Sequence, residues 1–363
     1  MRLMLSLLFL ISTAYAQWEK ISVPTQAGLR GLSVVNEKIV WASGTEGTVI
    51  RTLDAGKTWT VMTVAGAEKL DFRGIRAFDD KVAVIISSGP AENGEARIYR
   101  TVDGGKSWKQ VLEEKRAGIF FDAVAFWDSR HGIVLSDPVD GKFALFTTDD
   151  GGATWTQLPP VALPPALPKE GAFAASNSCL VVRGTSNVWF ATGGASVARV
   201  FRSADRGKSW QVAETPMHPA NASSGIFSLA FQDAKNGVAV GGDYQHPEGA
   251  NLPNMMRSHD GGKSWQAGEP TNPPGVYFSS VTPLNGYKAL GVFAAAGTKG
   301  VRLFADGWQK GFDQNVNAAA VSKNGKGVWV VGPNGTVAQI GWNIDFHSSV
   351  FSLRLQHLLG VFL

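Results

Sequence analysis

The sequence predicts an all-β protein, a seven-bladed β-propeller of four-stranded blades. A turn of the form T/S-x-D-x-G-x-S/T-W occurs five times, and its successive aspartates are 47 to 55 residues apart. A fixed period of that size is typical of a repeat architecture. The composition agrees, because 42 glycines and only 18% charged residues among 363 suit a compact chain rich in turns.

Each residue of the repeated turn has a structural role. We expect the Asp to accept hydrogen bonds from backbone N–H groups a residue or two ahead, and the Gly to supply the positive φ that the reversal needs. The Trp begins the returning strand and offers a large apolar face for packing between neighbouring sheets. These structural residues are Asp54, Gly56, Trp59, Asp103, Gly105, Trp108, Asp150, Gly152, Trp155, Asp205, Gly207, Trp210, Asp260, Gly262 and Trp265.

Two further apolar runs lie before each repeated turn, most clearly at residues 225–231 and 238–242. Two inner strands and the two strands of the hairpin make one propeller blade. A sixth unit begins at Val276 and ends in a shortened turn, and a seventh, from about Asn317, lacks the turn and an outer strand.

The missing outer strand of the last unit is predicted at the other end of the chain. Residues 18–24 have the pattern of a strand that follows a repeated turn, as at residues 210–216. The N-terminal strand would then complete the last blade and close the ring without a disulfide or an open sheet edge.

The first sixteen residues have the pattern of a secretory signal peptide. Arg2 precedes a short apolar run, and an A-x-A site places the cleavage after Ala16. The run is too short to span a membrane, so we expect a secreted or periplasmic protein with no transmembrane segment in the mature chain. The predicted domains are the signal peptide at 1–16, the propeller at 17–343 and a tail at 344–363 that is a short helix or disordered.

Composition argues against several functions. The net charge of +4 is mild, and the basic residues are scattered, so no nucleic-acid partner is expected. The one cysteine, Cys179, cannot form a disulfide or a redox pair within the chain, and the six histidines are dispersed. We therefore expect a monomer with no cofactor and no metal ion.

Several segments between the turns carry a resemblance to a known family. They are residues 70–75, 136–138, 170–177, 192–194, 225–228 and 241–244. The repeated turn resembles the Asp-box, or bacterial neuraminidase repeat, of the sialidase-like superfamily. Residues 17–342 resemble the photosystem II stability and assembly factor-like propellers. The resemblance implies a fold and an extracytoplasmic compartment, and it supplies no reaction.

Candidate binding residues lie on or just beyond the inner strands, where the loops at one end of a propeller form the usual binding face. They are Arg73, Asp122, Asp137, Glu170, Ser176, Asn177, Asp243 and Tyr244. Each could instead cap a turn or a strand end, as Asp, Ser and Asn do routinely. Together they predict a polar axial pocket of a binding or assembly module whose partner is a protein or a glycan, and no catalytic residue is assigned.

The alternative function is a sialidase-like glycoside hydrolase. Such an enzyme needs a tyrosine nucleophile, for which Tyr244 and Tyr277 are candidates, and an arginine clamp for the substrate carboxylate. Arg73, Arg183 and Arg199 could form the clamp, with Glu170 beside a tyrosine, although the early Arg-Ile-Pro signature is absent.

Two further enzyme hypotheses remain. Hydrolysis by paired carboxylates would join Asp122 to Asp243 or Glu170. The oxidoreductase label given loosely to relatives is the weakest alternative, because the chain has no dinucleotide-binding glycine pattern.

Overall fold

The computed structural model describes residues 18–219, 221–248, 253–268, 276–284, 291–304, 308–322 and 327–341. Within these ranges the chain forms seven four-stranded antiparallel sheets, so the predicted seven-bladed propeller is confirmed. The predicted signal peptide and C-terminal tail lie outside the described residues, as does the centre of the shortened sixth turn.

The strands follow one plan in every blade. The innermost strands are β2 (Leu29–Val34), β6 (Phe72–Ala77), β10 (Phe121–Phe126), β14 (Leu180–Arg183), β18 (Ser224–Phe231), β22 (Ser280–Pro283) and β26 (Ala318–Val321). The second strands are β3 (Val40–Gly44), β7 (Ala83–Ser87), β11 (Gly132–Val139), β15 (Asn187–Ala191), β19 (Gly237–Asp243), β23 (Phe293–Gly297) and β27 (Gly327–Val331). Because each innermost strand contacts the next and β26 contacts β2, the blades form a closed ring.

The outer half of each blade is the hairpin predicted from the repeated turn. The third strands are β4 (Thr48–Thr52), β8 (Arg97–Thr101), β12 (Lys142–Thr148), β16 (Arg199–Ser203), β20 (Met255–Ser258), β24 (Gly300–Phe304) and β28 (Val337–Gly341). The outer strands are β5 (Thr60–Thr63), β9 (Lys109–Glu113), β13 (Thr156–Gln157), β17 (Gln211–Glu214), β21 (Gln266–Ala267), β25 (Trp308–Lys310) and, for the last blade, β1 (Glu19–Ile21). Two single-turn 3₁₀ helices, Ala91–Asn93 and Pro160–Ala162, interrupt the loops.

The N-terminal strand closes the ring as the sequence predicts. Strand β1 pairs antiparallel with β28, Glu19 opposite Gln339 and Ile21 opposite Val337. The side chain of Ile21 is buried in a cluster that also contains Trp329 of the seventh blade and Ile50 of the first. The first described residues therefore join the two ends of the ring by backbone pairing and by side-chain packing.

The hydrophobic core is divided among the interfaces between blades. One cluster joins the first and second blades through Trp41 and Phe72, and corresponding clusters lie between the other neighbouring pairs. The repeated tryptophans pack there: the rings of Trp108 and Trp41 meet edge to face with centroids 6.5 Å apart. This is the inter-sheet packing expected of an aromatic residue at the start of an outer strand.

The repeated turn has a different hydrogen-bond pattern from the one predicted. The N–H group of Gly56 donates to Thr52 Oγ1 (2.9 Å), whereas Asp54 accepts from the backbone N–H (2.9 Å) and hydroxyl (2.6 Å) of Thr58, four residues ahead. The other four turns repeat these bonds. The expected bonds from one or two residues ahead were wrong, because the opening Thr or Ser already caps the nearby N–H groups.

Two ends of the ring follow from this strand order. Antiparallel neighbours place the repeated turns, between third and outer strands, at the end where the innermost strands finish. We call this the turn end, and we call the opposite end, where the innermost strands start, the bulge end. The second strands finish at the bulge end, so residues that follow a second strand meet residues that open an innermost strand.

Candidate functional site

Four innermost strands carry a β-bulge near their starts. The pairing with the second strand skips one residue in each case, and the skipped residues are Arg30, Arg73, Asp122 and Phe227. A bulge leaves one residue outside the ladder and re-aims its side chain, which is why bulges are frequent beside functional sites. The fold thus presents two cations, a carboxyl group and an aromatic ring at the bulge end.

The two arginines at the bulges differ in their partners. Arg73 Nε donates to Asp71 Oδ2 at 2.7 Å, and its Nη1 donates to the carbonyl of Ala174 at 3.4 Å. Arg30 is partly buried and makes no hydrogen bond or ion pair within the described part of the chain. Burial, and next the positive charge of Arg73, lower the pKa of Arg30, while Asp71 and Tyr277 oppose the shift. The guanidinium group of Arg30 is therefore available to an anionic ligand.

Aromatic side chains surround the fourth bulge residue. The ring of Phe227 stacks on that of Phe173 with centroids 3.9 Å apart, and it meets Tyr277 edge to face at 4.9 Å. Tyr244 also contacts Phe227, at 6.1 Å, and is 49% exposed. Burial raises the pKa of Tyr277, so its hydroxyl stays protonated and can donate a hydrogen bond. An aromatic cluster, buried except for Tyr244 and part of Phe173, therefore lies beside the arginines.

Asp122 and Asp137 form an acidic pair at the third blade. Asp122 is only 1% exposed, and neither of its carboxyl oxygens has a hydrogen-bond partner within the described residues. Burial, and next the charge of Asp137, raise its pKa well above the usual range, and Arg73 acts in the opposite direction. Asp137 Oδ1 accepts from the N–H group of Ala172 at 2.9 Å, and burial raises its pKa to about 6.

Glu170 and Asp243 are occupied by bonds within the chain. The carboxylate of Glu170 pairs with the buried guanidinium of Arg199 and accepts from the hydroxyl of Thr192 at 2.6 Å. Asp243 accepts from Ser223 Oγ at 2.6 Å, and also from Asn221 and the ring of His246. Burial alone would raise the pKa of Asp243, but these hydrogen bonds hold it below its usual range. Both carboxylates fix loops at the bulge end.

Ser176 and Asn177 line a cavity of about 250 Å³ on the axis of the ring, together with inner-strand residues such as Leu229 and Ala319. Their polar atoms are also engaged: Ser176 donates to the carbonyl of Ser279 at 2.6 Å. The Asn177 amide pairs with both backbone groups of Val124 (2.7 and 3.1 Å). These two side chains hold the loop before β14 against the neighbouring inner strands.

The structure brings only part of the predicted set together. Arg73, Asp122 and Asp137 interact electrostatically. Arg73 and Tyr244 both interact electrostatically with Tyr277, so Tyr244 belongs to the same neighbourhood. Glu170 and Asp243 lie at the same end, and Ser176 and Asn177 line the axial cavity, but all four have polar atoms bound within the chain.

The arginine clamp imagined for a hydrolase does not form. Arg183 lies at the end of β14 and donates to the carbonyl of Gln232, at the turn end, and Arg199 is paired with Glu170. The carboxylates proposed as partners of Asp122 are engaged elsewhere: Glu170 pairs with Arg199, and Asp243 accepts from Ser223.

Sequence reasoning missed Arg30, although a signal for it existed. The inner strands align as Leu29-Arg30-Gly31 and Phe72-Arg73-Gly74, so Arg30 has the same position in its repeat as the chosen Arg73. Aligning the inner strands as carefully as the repeated turns would have placed both at the site.

The described residues contain neither a cluster of metal-binding side chains nor a membrane-spanning helix. No group of three or more His, Cys, Asp or Glu side chains there is arranged to hold a metal ion. None of the helices in those ranges has the length and hydropathy needed to cross a membrane. Cys179 is a buried free thiol, and burial raises its pKa well above the usual value, which disfavours the reactive thiolate form.

The geometry defines a seven-bladed propeller protein that groups polar and aromatic side chains at one end of the ring. Residues 10–118 match the family model of photosynthesis system II assembly factor YCF48. The chain resembles this family, as its sequence predicts. None of the curated proteins matches the chain.

Solved structures that are similar to this chain belong to proteins of different kinds. A GH74 xyloglucanase from Xanthomonas campestris has 16% identity and a TM-score of 0.59 over 90% of this chain and 54% of that one. The Pan2 WD40 domain from Neurospora crassa has 15% identity and a TM-score of 0.60 over 91% and 97%. YCF48 bound to D1 peptide has 15% identity and a TM-score of 0.42 over 90% and 96%. At such identities the likeness concerns the fold alone.

Proposed function

We propose that this protein is a binding or assembly module whose bulge end recognises a carboxylate-bearing segment of a protein partner. The observation that carries the proposal is the guanidinium group of Arg30, which is partly buried beside Arg73 and has no partner among the described residues. Removing a guanidinium from water without a carboxylate or carbonyl partner is unfavourable, whereas a bound carboxylate would satisfy it with bidentate geometry.

The aromatic surface supports a protein partner over a small ion. Tyr244 is half exposed and Phe173 is partly buried, and the buried rings of Phe227 and Tyr277 support them. Aromatic residues and arginine are the side chains that most often dominate the binding energy of protein interfaces. The resemblance to an assembly factor family is consistent with this class of function.

The test is affinity capture with three forms of the protein. Arg30→Ala should weaken retention of the partner by about tenfold or more, because a charge-assisted hydrogen bond is lost. Arg130→Ala is the matched control, since Arg130 is an exposed arginine on the turn between β10 and β11, at the turn end. It should capture the same protein as the wild type. Equal capture by Arg30→Ala would refute the proposal, and selective binding on a glycan array would point to the glycan alternative.

We also propose an extracytoplasmic location, supported by the signal-peptide pattern of residues 1–16. Mass spectrometry of the protein recovered from the organism that produces it should find Gln17 as the N-terminal residue. A mature chain that retains residues 1–16 would contradict this location.

A further inference from the structure

Asp122 is a buried carboxyl group whose surroundings in the described part of the chain offer it no hydrogen bond. It is 1% exposed, and both carboxyl oxygens are buried without a hydrogen-bond partner there. Buried polar atoms in folded proteins nearly always have a partner, so two unpaired oxygens on one carboxyl group require an explanation. Asp71 Oδ1, beside Arg73, is a third buried carboxylate oxygen without one.

The groups that face Asp122 come from three elements. Arg73 lies on the innermost strand of the second blade, Asp137 at the end of β11, and Cys179 just before β14. Arg73 already donates hydrogen bonds from Nε to Asp71 and from Nη1 to the carbonyl of Ala174. The charges of the chain itself therefore compensate the acidic pair only in part, and Asp122 has no hydrogen-bond donor among the described residues.

We infer that Asp122 and Asp137 form an acidic subsite for the ammonium group of a lysine in the partner segment. The inference rests on the proposed function, because the subsite adjoins the arginines through Arg73. An ammonium group offers three donors on a slender, flexible stem, whereas a guanidinium is wide and planar. Asp137 is partly exposed and Asp122 is buried, so a slender stem suits a group that must pass the first to reach the second. The partner segment would then carry a lysine close to a carboxylate.

A proton balance follows from this arrangement. In the free protein, burial raises the pKa of Asp122 well above its usual range and so favours the protonated carboxyl group. A bound ammonium favours the ionised carboxylate, so the carboxyl proton leaves to solvent as the ion pair forms. Binding of the lysine should therefore release protons near neutral pH, which a purely structural Asp122 would not do.

The experiment uses the whole protein and synthetic peptides in titration calorimetry. The probes are N-acetylated, C-amidated peptides with a lysine, an alanine spacer of increasing length and a glutamate. Matched peptides replace the lysine by norleucine or the glutamate by glutamine. Repeating each titration in buffers with different ionisation enthalpies measures the protons released.

For the wild type, norleucine should weaken binding by about thirtyfold or more, because the charged partner of a buried carboxylate is lost. In Asp122→Asn both the preference for lysine and the proton release should disappear, while the preference for glutamate remains. Asp137→Asn, at the partly exposed member of the pair, should reduce the lysine preference and serves if Asp122→Asn does not fold.

The outcomes separate the two proposals. Equal binding of the lysine and norleucine peptides to the wild type, or lysine binding without proton release, would overturn the acidic subsite. Loss of affinity on replacing glutamate, with no effect of lysine, would leave the proposed function standing alone. If no peptide binds, both proposals fail.

Discussion

Two aspartates of the bulge end show how environment decides what one side chain does. Asp243 accepts hydrogen bonds from Ser223, Asn221 and His246, and Asp122 accepts none within the described residues. Hydrogen bonds hold the pKa of Asp243 below its usual range, and burial raises that of Asp122. The ionised form is thus stabilised by folding at one position and destabilised at the other.

Substitution of each aspartate by asparagine should therefore change stability in opposite directions at pH 7. Asp243→Asn should lower the free energy of unfolding by about 2–3 kcal/mol, because bonds to a charged acceptor are lost. Asp122→Asn should raise the free energy of unfolding. In the wild type, folding buries a carboxyl group that is ionised in the unfolded chain, whereas asparagine is neutral in both states. Urea denaturation of both variants measures the two differences.

The pH dependence provides the control. A lowered folded-state pKa gives stability that is present above the unfolded value of about 4 and lost as the pH falls. A raised folded-state pKa has the opposite effect, so the wild type loses stability as the pH rises from about 4 through the raised pKa of Asp122. The advantage of Asp122→Asn should accordingly shrink towards pH 4. An advantage that is constant with pH would show that Asp122 is not protonated in the folded protein.

At the scale of the strand and the turn, most of the fold is predictable from the sequence because its signals are local. The Thr-to-Trp frame that begins at Thr52 specifies a hairpin by itself, and alternating apolar residues mark the strands on either side. The detail of the turn was predicted less well, since Asp54 and the opening Thr52 are both acceptors and pattern alone does not divide the N–H groups between them.

The candidate site was less predictable because it depends on which polar groups are already satisfied. Glu170 and Asp122 look alike in the sequence, each beside an inner strand. Arg199, 29 residues beyond Glu170, satisfies that carboxylate, while none of the described residues donates a hydrogen bond to Asp122. The bulge in β18 was not predicted either, because that strand is buried along its whole length and has no alternating pattern that an extra residue would interrupt.

At the scale of the whole molecule, the ring separates structural and binding roles. The repeated turns lie at the turn end, where hydrogen bonds from Thr58 lower the pKa of Asp54 to about 2, and equivalent bonds recur in the other turns. The unpaired carboxyl oxygens of Asp71 and Asp122 lie at the bulge end. Such a division requires a ring that stays closed, since an open ring would separate the first two blades from the last.

Closure depends on a short N-terminal strand, and Ile21 is its buried anchor. The side chain is 8% exposed and packs in the cluster that joins the seventh blade to the first. Ile21→Ala should lower the free energy of unfolding by about 2–4 kcal/mol, the usual cost of truncating a buried isoleucine. Lys20→Ala is the matched control, because Lys20 is exposed on the same strand, opposite Ala338, and it should change stability by less than about 0.5 kcal/mol. Urea denaturation compares the two variants with the wild type. If Ile21→Ala is as stable as Lys20→Ala, β1 contributes backbone pairing alone and its packing does not hold the ring closed.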